Sequence, residues 1–431
     1  MTGPRALSVA LISTDYPPLR TSAAVQMRDL AAEMLNQGHK PVVIVPAVDL
    51  ASAWETEVMD GVTVLRLAAP RMRDIGHVRR TLSEFSLSFL MLHRLRKSPY
   101  GKIRWDLVAW YSPTIFFGPL VWFLKRSSGC RTYLILRDIF PEWALDLGLM
   151  RKGVAYAFFR GIANLQYAVA DTIGVQTRSN LAYLARWAGR PDKCVEVLHN
   201  WQAQAPSVGS TINVAATPLA GRKIIVYIGN MGVAQGMDIL VDLAQSLRHH
   251  DDFGFIFVGR GSQVPRLKAT VASRGMSNTL FFDEVDSREM PGLLAQCFIG
   301  LLALDPRHRT HNIPGKFLTY LLAGLPVLAR VNPGTDLAHL INDEGVGRAY
   351  DSVSAVALRE FLEDIADRPA EYAAMASRGR ALVASMFSPD KVVRQIIRTA
   401  TSNELEAPAE RADYRCPRLR EQGRRDPSEP R

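Results

Sequence analysis

The sequence has little cysteine: four residues in 431, and none of them is spaced like a zinc-binding pair. Such scattered thiols are typical of a reducing compartment and argue against a disulfide-stabilised fold. Long apolar runs are also missing, since the segment 115–124 is too short to cross a bilayer and is closed by Lys125 and Arg126. The first residues give no signal-peptide pattern. We therefore expect any contact with a membrane to be peripheral.

Charge is plentiful but unevenly distributed. Apolar residues form 48% and charged residues 22% of the chain, which is typical of a globular protein. The formal charge is +10, and residues 66–104 contain ten Lys or Arg against Asp74 and Glu84. Such a basic surface suits anionic lipid, nucleic acid or phosphate-bearing substrates, although it would equally serve solubility alone.

Short apolar strands alternate with amphipathic helices along most of the chain. The first unit is a strand over 7–12, a helix over 25–37 and a strand over 42–46. Strands without polar alternation indicate parallel sheets, and 431 residues exceed one ordinary core. The pattern predicts an α/β protein with two doubly wound, Rossmann-like domains.

The domain limits follow from composition. We place an N-terminal domain at 1–205, a linker rich in small residues at 206–221 and a C-terminal domain at 222–386. A last helix over 387–402 is expected to pack back on the N-terminal domain. Residues 403–431 turn to Arg, Glu and Pro without apolar spacing, which predicts a disordered tail.

One long helix, predicted over 82–96, has two interpretations. Its apolar spacing would turn one stripe toward the core, with arginines outward. The stripe consists of Leu82, Phe85, Phe89, Leu92 and Leu95. Docking of the same helix on a membrane surface stays open.

The segment 311–330 is the most informative. Pro314 and Gly315 are placed to begin a helix that Gly324 ends, and a buried strand follows. The first-turn amides, the helix dipole and Lys316 together fit an anionic group such as a phosphate. An ordinary helix–strand unit with a solvated lysine fits equally well.

Glycine turns follow two strands of the predicted C-terminal sheet, at 229–236 and 259–261. Each is weak evidence alone, and the first lacks the G-x-G-x-x-G dinucleotide pattern. The carboxyl ends of parallel strands form the ligand side of such sheets, so both turns should lie beside the Gly315 helix start. By the same rule the loop 13–23 lies at the edge of the N-terminal sheet.

Several motifs together resemble family 4 of the retaining glycosyltransferases, which have the GT-B fold. Residues 316–329 read KFLTYLLAGLPVLA and resemble the family signature K-x-x-E-Y-x-A-x-G-x-P-V-x-A. Other matching motifs are Gly38-His39, Gly229-Asn230 with Gln235-Gly236, Val258-Gly259 with Gly261, and Pro333-Gly334 ahead of Gly345 and Gly347. Residues 137–142 (RDIFPE) and 199–201 (HNW) resemble a bacterial subgroup that builds lipopolysaccharide O-chains and capsules. The resemblance covers residues 6 to about 400.

The resemblance implies transfer of a sugar from a nucleotide diphosphate-sugar to a lipid-linked acceptor, with retention. The implied pathway is lipopolysaccharide, O-antigen or exopolysaccharide synthesis. The implied donor is a UDP-sugar, with an N-acetylated amino sugar as a candidate. No metal or other cofactor is expected, because protein groups stabilise the leaving diphosphate in this architecture. The implied location is the cytoplasmic side of the inner membrane, bound peripherally through the basic patch.

The resemblance also assigns roles by position. Donor and phosphate contacts are expected from Gly229, Asn230, Gln235, Gly236, Gly259, Arg260, Gly315, Lys316, Phe317 and Thr319. The acceptor-side loops would contribute Thr21, Ser22, Arg137 and Glu142. Candidates for the catalytic groups are Asp15 and Asp138, near the acceptor hydroxyl, and His311, near the donor sugar or its phosphate. The two aspartates would equally serve as capping or ion-pairing residues, and His311 is also compatible with an ordinary surface loop.

Two departures from the family pattern bear on these roles. The usual basic pair of the first glycine turn is replaced by Asn230 and Gln235, so we expect Lys316 or Arg260 to supply the charge. The two usual glutamates are replaced by His311 and Thr319, which puts the ribose contact in question.

Two other functions stay open at this point. A nucleotide-sugar 2-epimerase shares the architecture but uses cleft carboxylates. A catalytically degenerate membrane scaffold would explain the lost glutamates but not the retained glycine turns. A nucleic-acid binder is disfavoured because the basic residues lie on predicted helices without a recognised reading module. A transferase requires a deep cleft between the domains, lined by the glycine turns and the Gly315 helix start.

Overall fold

The computed structural model describes residues 5–72, 75–146, 148–305, 312–351 and 354–401. The predicted site residue His311 and the predicted tail over 403–431 lie outside the described residues. Two β-sheets organise the rest of the chain, and each has apolar cores on both of its faces.

The first sheet has eight strands in the order β3-β4-β2-β1-β5-β6-β7-β8. In the described part of the chain all of its pairings are parallel except that of β3 with β4. The strands are β1 Ser8–Ile12, β2 Lys40–Ala47, β3 Trp54–Met59, β4 Val62–Ala68, β5 Leu107–Tyr111, β6 Arg131–Leu136, β7 Thr172–Val175 and β8 Cys194–Val197.

The second sheet has six strands in the order β11-β10-β9-β12-β13-β14, and its pairings are parallel. The strands are β9 Lys223–Ile228, β10 Phe253–Val258, β11 Thr279–Phe282, β12 Ile299–Ala303, β13 Val327–Arg330 and β14 Gly347–Tyr350. The two sheets together confirm the predicted pair of doubly wound α/β units.

Helices connect the strands and cover the sheets. They are α1 Ser22–Asn36, α2 His77–Lys97, α3 Gly118–Ser128, α4 Glu142–Asp146, α5 Val154–Val169, α6 Ala185–Ala188, α7 Asp238–Ser246, α8 Val264–Ser273, α9 Met290–Leu294, α10 Gly315–Leu322, α11 Asp336–Asp343, α12 Val356–Ala366, α13 Pro369–Met386 and α14 Pro389–Thr401. The described residues include no helix that is both long and apolar enough to cross a membrane.

Strand residues alternate between the cores, as a pleated sheet buried on both faces requires. In β1, Ala10 and Ile12 contribute to one core while Val9 and Leu11 contribute to the other. The continuous apolar runs of the sequence follow directly from this double burial.

Helix α14 packs on the first sheet although it follows the second in the chain. Its buried residues Val392, Val393 and Ile396 join the core of β1 and α1. The Gln395 Nε2 also donates to the carbonyl of Val197 at 2.8 Å. Helix α14 therefore joins the two halves of the molecule.

The edge strand β3 was not predicted from the apolar pattern, because its side chains are mostly exposed and include Glu55 and Glu57. A local signal was present: Asp60 and Gly61 both have positive φ, 49° and 79°, between β3 and β4. An Asp-Gly pair of this kind is the usual two-residue hairpin turn.

The predicted inward face of helix α2 is wrong in its first half. Leu82, Phe85 and Phe89 are 63%, 46% and 57% exposed, whereas the buried stripe is formed by Leu87 and Met91 with Leu95. The sequence carries two apolar stripes on this helix, and only packing against β4 and α3 selects between them.

Candidate active site

A cavity of about 500 Å3 opens between the carboxyl ends of the two sheets. Predicted residues in its lining are Thr21, Ser22, Gly229, Asn230, Gly259, Arg260, Gly315, Lys316 and Thr319. Residues that were given no role from the sequence also line it, among them Arg20, Gln26, Trp201, Gln202 and Glu284. Of the remaining predicted residues that the structure describes, Gln235, Gly236 and Phe317 belong to the same loops and helix but are not among the lining residues, and neither are Asp15, Arg137, Asp138 and Glu142.

The two glycine turns of the second sheet touch each other at the cavity wall. Gly229 has φ +102° and Gly259 has φ +140°. A Cβ on Gly259 would lie 2.1 Å from the carbonyl oxygen of Gly229. Only glycine satisfies both the backbone conformation and the contact, so this wall is made of closely packed main chain.

Lys316 extends from α10 to the first of these turns. Its Nζ donates to the Tyr227 hydroxyl at 2.5 Å and lies 3.8 Å from the centroid of that ring. The Tyr227 hydroxyl in turn donates to the carbonyl of Asn230 at 2.7 Å. Burial lowers the pKa of Lys316 to about 7, because desolvation disfavours the ammonium form. The lysine is therefore held beside the glycine turn, where an anion would stabilise its charge.

The N-termini of two helices face the cavity from opposite sides. Thr21 caps α1 by accepting from the amide of Ala24 at 3.2 Å, and Gly315 is the first residue of α10. The two ends are close, since a Cβ on Gly315 would lie 2.8 Å from the Ser22 Oγ. Helix N-termini expose amides without an intrahelical partner and carry partial positive charge. The cavity is therefore electropositive from both domains.

The first turn of α10 differs in detail from the predicted amide set. The amide of Phe317 donates to the carbonyl of Pro314 at 3.0 Å, and its ring is fully buried in the core of the second sheet. The first-turn amides facing the cavity are consequently those of Gly315 and Lys316.

Asn230 and Gln235 occupy the positions where the family resemblance implies a basic pair. The Gln235 Oε1 accepts from the amide of Gly232 at 3.0 Å and from the Asn230 Nδ2 at 3.3 Å. Gly236 ends this turn with φ +56° and packs against Asp305. These side chains fix the shape of the turn and add no formal charge to the cavity.

Two arginines stand at the mouth of the cavity, each beside a carboxylate. Arg260 lies 3.3 Å from Glu284, and Arg20 lies 3.4 Å from Asp286. The second pair joins the two halves of the molecule. Because these side chains are substantially exposed, each pair contributes little stability by itself.

The carboxylates predicted at the edge of the first sheet are already hydrogen-bonded. Asp15 is buried and accepts from the Thr21 hydroxyl at 2.6 Å. Asp138 accepts from the Asn312 Nδ2 at 3.4 Å, and Glu142 accepts from the Tyr156 hydroxyl at 3.4 Å. Asp15 is thereby coupled to the cap of α1, and Asp138 to the segment that precedes α10.

Arg137 is part of the framework between β6 and β8. It donates to the carbonyls of Leu198 and His199 at 2.6 and 3.2 Å, and it stacks over the Trp201 ring at 4.8 Å. Burial lowers the pKa of its guanidinium. Through this stacking contact Arg137 positions Trp201, which lines the cavity.

Amides that sequence reasoning did not assign hold α10 in place. The side chains of Gln176 and Asn200 both donate to the carbonyl of Ile313, at 2.8 and 2.6 Å. The Thr319 hydroxyl donates to the Gln202 Oε1 at 3.0 Å. Their signal in the sequence was positional, since Gln176 directly follows β7 and Asn200 and Gln202 follow β8.

Metal ligands are not grouped in the described residues: no three His, Cys, Asp or Glu side chains are placed to hold an ion.

Two family descriptions match the chain. "Glycosyl transferase 4-like domain" covers residues 21–201, and "Glycosyl transferases group 1" covers residues 222–366. The probable glycosyltransferase WbjE of Pseudomonas aeruginosa is 24% identical over 57% of this chain, and the match spans 62% of the length of WbjE. The putative colanic acid biosynthesis glycosyl transferase WcaI of Escherichia coli K12 is 25% identical over 78% of this chain and 86% of its own.

Solved structures of similar shape have the GT-B architecture. Sucrose-phosphate synthase from Thermosynechococcus elongatus superposes with a TM-score of 0.68 at 15% identity, over 91% of this chain and 98% of that one. HepE of Anabaena in complex with UDP-glucose has a TM-score of 0.65 at 15% identity, over 92% and 99%. WaaG, a glycosyltransferase involved in lipopolysaccharide biosynthesis, has a TM-score of 0.59 at 17% identity, over 90% and 99%. These likenesses confirm the GT-B fold.

Proposed function

We propose that this protein, a glycosyltransferase with a 4-like domain and a group 1 domain on a GT-B fold, uses a nucleotide diphosphate-sugar as donor. The sugar is transferred with retention to a lipid-linked acceptor at the inner face of the cell membrane. The donor is a UDP-sugar, with an N-acetylated amino sugar as the first candidate. The product enters lipopolysaccharide, O-antigen or exopolysaccharide synthesis.

The observation that carries the donor proposal is the convergence of positive charge on one cavity. The N-termini of α1 and α10 and the Lys316 ammonium face the same space beside the Gly229 turn. A diphosphate carries several charges close together, and charge accumulates on its oxygen when the bond to the anomeric carbon breaks. Fixed dipoles and a half-buried cation stabilise that charge without reorganising during the reaction.

The acceptor side of the proposal rests on the edge of the first sheet. The acceptor hydroxyl must lose a proton as it attacks the anomeric carbon, and Asp15 and Asp138 are two of the described carboxylates at this edge that could accept it. Asp15 is buried next to the α1 cap, so it is placed to couple acceptor binding to the donor end of the cavity. The role proposed for His311 concerns the donor sugar.

Similar proteins support the pathway and the donor. WcaI is named for colanic acid biosynthesis, WaaG for lipopolysaccharide biosynthesis, and HepE is in complex with UDP-glucose. For this chain, a polysaccharide pathway and a UDP-sugar are proposals that agree with those names.

Calorimetry with UDP, GDP and ADP tests the donor site, with a chelator present so that metal dependence is measured too. UDP should bind most tightly to the wild type. Lys316→Met should weaken UDP binding by about tenfold or more, since a lost charge-assisted hydrogen bond costs about 1.5–3 kcal/mol. The control is Lys268→Met, which replaces an exposed lysine on α8, the helix that connects β10 and β11.

Equal UDP affinities of the two variants would contradict the phosphate-binding role of Lys316. Preference for GDP or ADP would change the donor, and binding of none of them would leave a scaffold as the better account.

A further inference from the structure

Helices α2, α3 and α5 form one layer over one face of the first sheet, and their outer surface is unusually apolar. Val154 is 90% exposed, Val78 75%, Leu82 63%, Phe89 57% and Trp122 53%. We define the apolar face by its exposed large side chains: Val78, Leu82, Phe85, Phe89, Trp122, Val154, Phe158 and Leu165. The solvent-exposed face of a helix in a soluble protein usually carries polar side chains. A face with this many large apolar groups therefore indicates a binding surface.

Helix α5 gives the clearest case. Of its outward positions only Arg160 is charged, and the others are Val154, Ala155, Ala157, Phe158, Gly161, Leu165 and Ala168. Phe158 approaches Phe85 of α2, with ring centroids 6.5 Å apart. The apolar residues of α2 and α5 are thus continuous across the layer.

The charged side chains of the three helices are almost all positive. Exposed cations on or beside the three helices are Arg79, Arg80, Arg96, Lys97, Arg126, Arg151, Lys152 and Arg160. The one acidic residue of the three helices, Glu84, is paired with Arg80 at 2.7 Å. Arg126 lies over the exposed Trp122 ring at 5.9 Å.

We infer that the apolar face docks on an anionic lipid bilayer. Aromatic and aliphatic side chains would enter the interface while the arginines bind headgroup phosphates, which is the pattern of peripheral amphipathic helices. Charge complementarity favours this occupant over a second copy of the chain. A two-fold contact would place the same cations opposite one another.

The position of the apolar face agrees with an acceptor held in that bilayer, and in this respect the inference rests on the proposed function. Phe158 contacts Phe159, and Phe159 contacts Phe140, with centroids 5.3 and 5.2 Å apart. Phe140 is two residues from Asp138 and contacts Trp143 at 5.8 Å. A row of aromatic rings therefore connects the docking face to the acceptor-side loop.

Vesicle binding by the full chain tests the inference. Sedimentation with phosphatidylcholine vesicles is compared with sedimentation with vesicles that also contain phosphatidylglycerol. The triple variant Leu82→Gln, Phe89→Gln and Val154→Gln should bind anionic vesicles on the order of 100-fold more weakly, because three apolar groups no longer leave water. The matched control is Val58→Gln, Val208→Gln and Val356→Gln, whose residues are 70%, 63% and 52% exposed elsewhere. The control should bind as the wild type does.

A second measurement reports insertion directly. Trp122 fluorescence should shift to the blue when anionic vesicles are added, and Trp122→Phe should lack that change. Several results would overturn the inference: no binding of the wild type, equal binding to neutral vesicles, or equal binding of the triple variant and its control. Loss of self-association in the triple variant, without vesicle binding of the wild type, would assign the face to a second copy instead. Calorimetry with UDP on the same proteins keeps the two proposals apart, since the donor site can fail or hold independently of lipid binding.

Discussion

The carboxyl edges of the two sheets meet at one cavity but are built differently. The edge of the second sheet is mainly backbone, with Gly229 against Gly259 and the start of α10 at Gly315. The edge of the first sheet presents side chains that already bond to one another or to the facing loop, such as Asp15 with Thr21. A backbone wall is rigid and fixed in shape, whereas side-chain bonds can exchange partners. The contrast agrees with the proposed function, in which a fixed diphosphate site lies opposite an adjustable acceptor site.

The two edges are nevertheless coupled through a few contacts. Gln176 and Asn200 from the first sheet hold the carbonyl of Ile313, two residues ahead of Gly315. Gln202 bonds Thr319 on the next turn of α10. Side chains of one edge thus position the backbone of the other.

The largest expected effect comes from adding a methyl group to the backbone wall. Gly259→Ala places a Cβ 2.1 Å from the Gly229 carbonyl oxygen at φ +140°. We expect the free energy of unfolding to fall by about 3 kcal/mol or more, and UDP affinity to fall with it. Urea unfolding and calorimetry measure both.

The matched control for that change is Gly275→Ala. Gly275 also has positive φ, +60°, but its Cβ would meet no atom within 4 Å. We expect a loss of only about 1–2 kcal/mol there and unchanged UDP affinity. If the two variants were equally stable, the wall at Gly229 and Gly259 would not be rigid.

The next largest expected effect is a fall in UDP affinity as the pH rises. The pKa of Lys316 is lowered to about 7 in the free protein by burial, and a bound phosphate should raise it again. Above about pH 7 nucleotide binding must then take up a proton, so UDP affinity should fall by up to about tenfold per pH unit toward pH 9. Calorimetry in buffers of different ionisation enthalpy measures the uptake, which Lys316→Met should abolish. Proton uptake that persists in this variant would assign the titration to another group.

Without ligand, the lowered pKa of Lys316 makes the stability of the folded protein rise with pH. Between about pH 7 and pH 10 the unfolded chain binds a proton on Lys316 that the folded protein lacks. Its contribution to the free energy of unfolding should therefore rise with pH across this window, and Lys316→Met should flatten the rise.

The smallest expected effect comes from the side-chain edge. The double variant Gln176→Ala and Asn200→Ala leaves the Ile313 carbonyl without these donors and should weaken UDP binding by about tenfold, since such bonds contribute about 1 kcal/mol each. Asn278→Ala is the control, because the Asn278 Nδ2 donates to the carbonyl of Ala244 at 2.9 Å and both residues belong to the half built on the second sheet. Small-angle scattering should show a larger radius of gyration for the double variant alone. An unchanged radius and unchanged affinity would show that the two edges are not coupled through Ile313.

Much of the fold could be predicted because doubly buried strands leave continuous apolar runs. The strands predicted over 7–12 and 42–46 correspond to β1 and β2, close to their observed bounds. The exposed edge strand β3 leaves no such run, and helix α2 carries two apolar stripes, of which the predicted one is wrong in the first half of the helix. The local sequence pattern specifies exposed elements poorly, because an exposed position can hold a polar or an apolar side chain, whereas a core position requires an apolar one.

The candidate site divides in the same manner. Glycine turns, the Pro314-Gly315 helix start and Lys316 are local features, so the sequence by itself determined the main-chain features at the edge of the second sheet. Steric limits on φ and the free amides of a first turn depend on neighbours in the chain. Only the tertiary structure decided that Tyr227 anchors Lys316, that Gln176 and Asn200 share the Ile313 carbonyl, and that the ends of α1 and α10 face each other. Those contacts join residues that are 89 to 293 positions apart in the chain, from Lys316 with Tyr227 to Gly315 with Ser22. No local pattern encodes a pairing that is made by packing two sheets together.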